Sequence, residues 1–198
     1  SQNEFELAIV LKKKQINKEI LRQTIEVIIE RKRGILSESL EDKSVCFIGH
    51  SQLDQWQIEK IKGIKVRNCG ISGISSFEYN RMILEKGLLN CESDVFLVMH
   101  GTNDIVMDCS FKDIADSVYR SILYIKNRND TAPIVFLSCL HVNGRLDRNN
   151  DVIDNLNEVL KERICDNVIW VDTSFMNDKY GKLDERYTTD GLHISPEG

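Results

Sequence analysis

The stretch Val45-Cys46-Phe47-Ile48-Gly49-His50-Ser51-Gln52-Leu53 decides how the chain folds. Its first half is uncharged and apolar, with β-branched and aromatic side chains, as in a strand buried on both faces of a parallel sheet. The run stops at Gly49 and a polar triplet follows. In open α/β sheets, ligands bind just beyond the carboxyl ends of the strands. Ser51 therefore stands where a nucleophile would be exposed on a rigid platform. The other reading of Ser51 is as the cap of a helix over Asp54 to Ile61.

The same signal recurs downstream. Ile64 to Arg67, Val95 to His100, Ile134 to Leu140 and Val168 to Val171 read as strands. Asp54 to Ile61, Ser75 to Leu88, Phe111 to Asn127 and Asn150 to Arg163 read as helices. Strands alternating with helices imply βαβ units and a mainly parallel sheet. The expectation is a three-layer α/β/α sandwich of about five strands.

Upstream, residues 4 to 33 read as one long helix. Leu7, Val10, Leu11, Ile16, Ile20, Leu21, Ile25, Ile28 and Ile29 recur close to the helical period. Gly34 is expected to end it, just after Arg31-Lys32-Arg33, which reads as a solvated basic helix end. A helix of this length needs a surface to lie on, supplied by its own domain, a second subunit or a neighbouring domain. Residues 34 to 43 form a polar connector. The chain thus divides into residues 1–43, helix and connector, and residues 44–198, the α/β domain.

Composition narrows the function classes. The 198 residues carry a net charge of −5, which argues against a general nucleic-acid binder. No apolar run reaches the length of a membrane span. Lys12-Lys13-Lys14 lie where a signal peptide would be apolar. Cys46, Cys69, Cys91, Cys109, Cys139 and Cys165 are scattered, with neither C-x-x-C pairs nor zinc-like spacing. This usage suits a reducing cytoplasm.

The chemistry lies in the loops. Asn68-Cys69-Gly70-Ile71-Ser72-Gly73-Ile74-Ser75 has no lysine after its glycines and is not a phosphate loop. Its glycines allow a backbone N–H to face an oxyanion, or make a plain turn. His100-Gly101-Thr102-Asn103-Asp104 places an asparagine amide on the same edge, as an oxyanion donor or a loop cap. Asp104 reads as structural. In Thr189-Asp190-Gly191-Leu192-His193 a carboxylate precedes a histidine by three residues, close enough to orient the imidazole as a general base. Arg145 and Arg148 follow the fourth strand. They are candidate anchors for a substrate carboxylate, or surface arginines paired with Asp147 or Asp151.

These blocks, in this order, resemble the SGNH (GDSL-type) hydrolases over residues 44 to 198. The resemblance implies Ser51 as nucleophile, His193 as general base and Asp190 as its partner. It implies an oxyanion hole made of the Ser51 N–H, the Gly73 N–H and the Asn103 side chain, and no metal or organic cofactor. His50 departs from the family, which has aspartate before the serine, and a second titrating group beside the site is an open question. Phe5-Glu6-Leu7-Ala8, Asp54 with Trp56, and Gly144 to Arg148 look like the C-terminal esterase domains of bacterial bifunctional CMP-sialic acid synthetases. That resemblance implies removal of O-acetyl groups from sialic acid, with residues 1 to about 11 as the tail of a synthetase domain. The alternatives are a general esterase or thioesterase, and a catalytically silent docking or dimerisation module. Ser195-Pro196-Glu197 reads as the start of a further helix.

Overall fold

A computed structural model describes residues 1–198. The helix α1 runs from Gln2 to Ser37, the strand β1 from Ser44 to Gly49, and the single-turn helix α2 from Ser51 to Asp54. β2 (Lys60–Ile61) and β3 (Ile64–Gly70) precede α3 (Ser76–Tyr79). The chain continues through β4 (Val95–Met99), α4 (Phe111–Arg128), β5 (Ile134–Leu137), α5 (Asn150–Ile164) and β6 (Ile169–Val171). The strand order is β2-β3-β1-β4-β5-β6, parallel throughout except for β2. The chain winds first to one side of β1 and then to the other. The crevice beyond the carboxyl ends of β1 and β4 is therefore the switch point where such sheets bind ligands.

β1 is buried along its whole length. Cys46 and Ile48 point to one face, with Phe96, Val98, Ile134 and Phe136 of the neighbouring strands. α1, α3, α4 and α5 bury Ile25, Tyr79, Val118 and Leu156 against that face. Val45, Phe47 and Met99 point to the other, where Leu53 of α2 and irregular segments bearing Met176 and Leu183 cover them. Trp56 stacks on Phe47 with ring centroids 5.2 Å apart. The third layer of the sandwich is thus built from short and irregular pieces.

Several boundaries differ from the sequence expectation. α1 passes through Gly34 to Ser37, because Leu36 is fully buried and Arg67 donates to the terminal carbonyls of Ile35 (3.3 Å) and Leu36 (2.7 Å). These tertiary contacts outweigh the roughly 1 kcal/mol cost of an internal glycine. The helix expected over Asp54 to Ile61 is absent. α2 ends at Asp54, and Lys60–Ile61 instead forms a hairpin with β3 through Lys62 (φ 48°) and Gly63 (φ 80°), the backbone of a two-residue hairpin turn. α3 gives way to a π-helical turn at Asn80–Leu84, where the buried Asn80 amide donates to the Ser117 carbonyl at 2.9 Å. β5 stops at Leu137, because the Asn157 side chain replaces a strand partner, accepting from Cys139 N–H (2.8 Å) and donating to its carbonyl (2.9 Å).

Gly49 is the tightest point of the switch. A Cβ there would lie 2.1 Å from the Met99 carbonyl oxygen. Gly49→Ala is expected to cost about 1–3 kcal/mol through forced separation of β1 and β4, read as a lowered urea midpoint at unchanged m-value.

Candidate active site

Ser51 opens α2 directly beyond β1. Its Oγ lies 3.0 Å from His193 Nε2, and His193 Nδ1 lies 2.7 Å from Asp190 Oδ2. The other Asp190 oxygen accepts from the backbone N–H groups of Leu192 (2.9 Å) and His193 (2.7 Å). Burial works to raise the Asp190 pKa, but the hydrogen bonds from the His193 ring and these two N–H groups outweigh it. The carboxyl is held well below the usual carboxylate range, so Asp190 stays ionised. Serine, imidazole and carboxylate thus form a continuous line suited to proton removal from Ser51.

Gly191 makes the turn that brings His193 back. Its φ is +79°, and a Cβ would come 1.8 Å from the Asn143 carbonyl oxygen. Asn143 N–H in turn donates to the Gly191 carbonyl at 2.8 Å.

The second group of sequence candidates is tied to the first through its loops. Asp54 at the end of α2 accepts from Ser72 N–H (2.8 Å) and Ser72 Oγ (2.6 Å). The Asn103 amide donates to the Ile74 carbonyl at 3.0 Å. Gly73 lies between these two anchors with φ +82°, and its N–H donates to no protein acceptor. Ser51 stands in the first turn of its helix, where N–H groups have no partner within the helix. Asp104 is fully buried and holds Ser76 N–H at 3.0 Å, which fixes the start of α3.

Arg145 and Arg148 lie at the other edge of the site. Arg145 packs beside Gly191. Both guanidinium groups are engaged by Asp147, Arg145 through Nε (2.9 Å) and Nη2 (3.1 Å), Arg148 through Nη1 (3.0 Å). Arg148 is the more buried, and its Nε has no partner. His50 is buried beneath the centre, with Nδ1 accepting from Gln52 N–H at 3.4 Å. Burial, then the nearby His193 and Arg148 charges, lower its pKa to about 4. The histidine before Ser51 is thus neutral at ordinary pH.

Sequence reasoning missed two residues. The Gln52 side chain donates to the Leu192 carbonyl (2.6 Å) and accepts from Ile194 N–H (3.2 Å), gripping the backbone on both sides of His193. In the sequence Lys32 reads as part of a solvated basic helix end. It is instead half-buried, 2.5 Å from Asp54, and also donates to the Gly70 carbonyl at 2.6 Å. Neither residue carries a motif; only the folded loops give them partners. A cavity of about 550 Å³ opens beside Ser51 and His193, walled by Trp56, Met99, Leu137, Leu140, Phe175 and Met176. No cluster of three or more His, Cys, Asp or Glu side chains is placed to hold a metal ion.

A parallel sheet that brings Ser51, His193 and Asp190 together at its switch point has the arrangement of a hydrolase site. A model of the GDSL-like Lipase/Acylhydrolase family matches residues 49–198, and the chain belongs to that family. It is 38% identical over 197 residues to an N-acylneuraminate cytidylyltransferase of Escherichia coli O18:K1:H7 (strain RS218 / NMEC). That match takes in 98% of the chain but 46% of the relative, so the chain spans about half of that protein. Among solved structures, a Streptococcus pneumoniae protein with the provisional description of a platelet activating factor superposes with a TM-score of 0.79 at 26% identity, over 95% of this chain and 92% of that one. A GDSL-like lipase from Bacteroides thetaiotaomicron VPI-5482 gives 0.67 at 19% identity, over 85% and 88%, a likeness of fold alone.

Two outcomes follow from the geometry. With Asp190 ionised and His50 neutral, one protonation, that of His193, should lower kcat/KM on the acid side. The acid limb of log kcat/KM is expected to reach a limiting slope of one; a slope of two would place His50 in the titration. Gln52→Ala should free the His193 loop and lower kcat by about 10-fold to 10²-fold with KM little changed. Steady-state kinetics on a small ester separates that from a loss in binding.

Proposed function

We propose that the chain is a serine esterase that removes O-acetyl groups from sialic acid or its CMP-activated form, working in the cytoplasm as the esterase half of a bifunctional CMP-sialic acid synthetase. The alignment of Ser51 Oγ, His193 and Asp190 carries the reaction class. His193 takes the Ser51 proton as Oγ attacks the acetyl carbonyl. The N–H groups of Ser51 and Gly73 and the Asn103 amide stabilise the oxyanion, Asn103 through the amide hydrogen not given to Ile74. The protonated His193 passes its proton to the departing sugar oxygen. Water, deprotonated by His193, then releases acetate and restores Ser51. The Asp190 charge stabilises the imidazolium in both steps.

The substrate reading rests on the E. coli relative, whose name places it in sialic acid activation. Residues 44–198 are the hydrolase domain in this reading, and residues 1–43 the junction with a synthetase domain. Arg145 and Arg148 supply the carboxylate anchor, with a bound sialate taking over contacts that Asp147 makes in the free chain. Six free cysteines fit a reducing compartment.

The apolar cavity favours a second reading. Its volume exceeds what an acetyl methyl needs, as in an esterase or thioesterase for longer acyl groups.

The test measures acetate release from O-acetylated N-acetylneuraminate beside hydrolysis of 4-nitrophenyl esters of increasing chain length. Ser51→Ala is expected to lower kcat on every substrate by about 10⁴-fold or more. Arg145→Ala should raise KM for the sialate and leave the small ester untouched. Equal losses on both would make Arg145 structural, and kcat/KM climbing with acyl length while the sialate stays inert would select the second reading.

A further inference from the structure

α1 spans about 54 Å at 1.5 Å per residue, yet the α/β domain holds only its C-terminal part. Ile25, Ile29 and Leu36 are buried against the sheet, and Lys32 and Leu21 reach the loop that carries Gly73. Every residue from Gln2 to Thr24 is exposed. In proteins most helical stability comes from packing an apolar face rather than from propensity. The exposed part has such a face. Ile9, Ile16, Ile20 and Val27 are 41%, 49%, 56% and 57% exposed. At 100° per residue they lie opposite Leu21, Ile25 and Ile29, so the residues that dock α1 on its own domain leave this face free.

The spacing is that of a coiled-coil seam. Ile9 and Ile16 are one heptad apart, as are Ile20 and Val27, and four residues separate Ile16 from Ile20. Lys13 and Gln23 complete the seam.

We propose that this face pairs with the same face of a second copy of the chain, as an antiparallel two-stranded coiled coil whose two-fold axis passes near Lys18. With Ile16 opposite Ile20 of the second copy, Ile9 meets Val27 and Lys13 meets Gln23. Symmetry repeats each layer. Flanking the seam, Lys12 comes opposite Glu26 twice. Glu19, which meets its own copy near the axis, is already held by Arg22 within its helix. A parallel pair would stack Lys13 on Lys13, so charge selects the antiparallel arrangement. That arrangement also sends the two α/β domains to opposite ends of the pair, each on the outer side of its own helix.

Sedimentation velocity of the whole chain at tens of micromolar tests this. The chain is expected to be a dimer. Ile16→Glu with Ile20→Glu should weaken it by at least about a hundredfold, with cooperative urea unfolding retained as evidence of an intact domain. Leu7→Glu with Leu11→Glu, on the domain-facing stripe, should leave the dimer in place. Lys12→Glu should weaken association, and adding Glu26→Lys to the same chain should restore it. A monomeric wild-type chain would overturn the proposal and hand the face to a different occupant such as a neighbouring domain. A dimer that survives the Ile16 and Ile20 changes, one lost through Leu7 and Leu11, or a charge swap that fails to restore it, would overturn it as well.

Discussion

The Asp54 carboxylate is the joint on which the site depends. One oxygen meets Lys32 of α1 at 2.5 Å, and the other holds Ser72 through its N–H and hydroxyl. Asp54 and Lys32 are each about 15% exposed or less, where an unpaired charge would be costly. Three pieces distant in sequence are thereby fixed together: the long helix, the turn that begins with Ser51, and the loop that offers the Gly73 N–H. Asn68 tightens the same joint, donating to the Leu53 carbonyl at 2.6 Å. Gly70 lets it close, since a Cβ there would lie 2.7 Å from the Asp54 nitrogen. The helix that looks like an appendage is therefore part of what holds Ser51 and its neighbouring loop in register.

The same kind of constraint operates on the histidine side. Gln52, adjacent to Ser51, binds the backbone before and after His193, so α2 fixes both Ser51 and His193. Catalytic groups on loops lose precision unless rigid elements locate them. Here the central strand of the sheet locates one turn of helix, and that turn locates both loops.

The parts legible in the sequence were those with a period or a motif. β1, β4, α4 and α5 announce themselves through apolar runs and helical spacing, and Ser51, Asn103, Asp190 and His193 through short blocks in loops past strands. The parts that were not legible depend on partners distant in the chain. Gly34 carries the sign of a helix end, but Arg67 and the buried Leu36 overrule it. The Lys62–Gly63 hairpin was hidden because Asp54 to Ile61 also satisfies a helical pattern, and the choice falls to the pairing of Lys60 with Lys65 and the stacking of Trp56 on Phe47. Lys32 reads as one of three like charges until the fold brings Asp54 beside it. Arg145 and Arg148 were open between substrate and Asp147; both bind Asp147 in the free chain.

Charge at the centre is arranged so that one proton matters. Asp190 is held ionised by three N–H donors, and it is the carboxylate that faces His193. Asp147 is occupied by the two arginines beside it, and its pKa is held down first by the hydrogen bonds from Arg145 and then by the Arg148 and Arg145 charges, against the opposing effect of burial. His50, in contact with the turn that carries Ser51, is kept neutral by burial and by the positive charges around it. A carboxylate in the place of His50 would add a second negative charge near the imidazole and favour its protonated form, in which it cannot act as a base. A neutral imidazole there supports the turn through its bond from Gln52 N–H without that penalty. Buried as it is, His50 remains uncharged at ordinary pH, and Asp190 is the ionised carboxylate that meets the His193 ring.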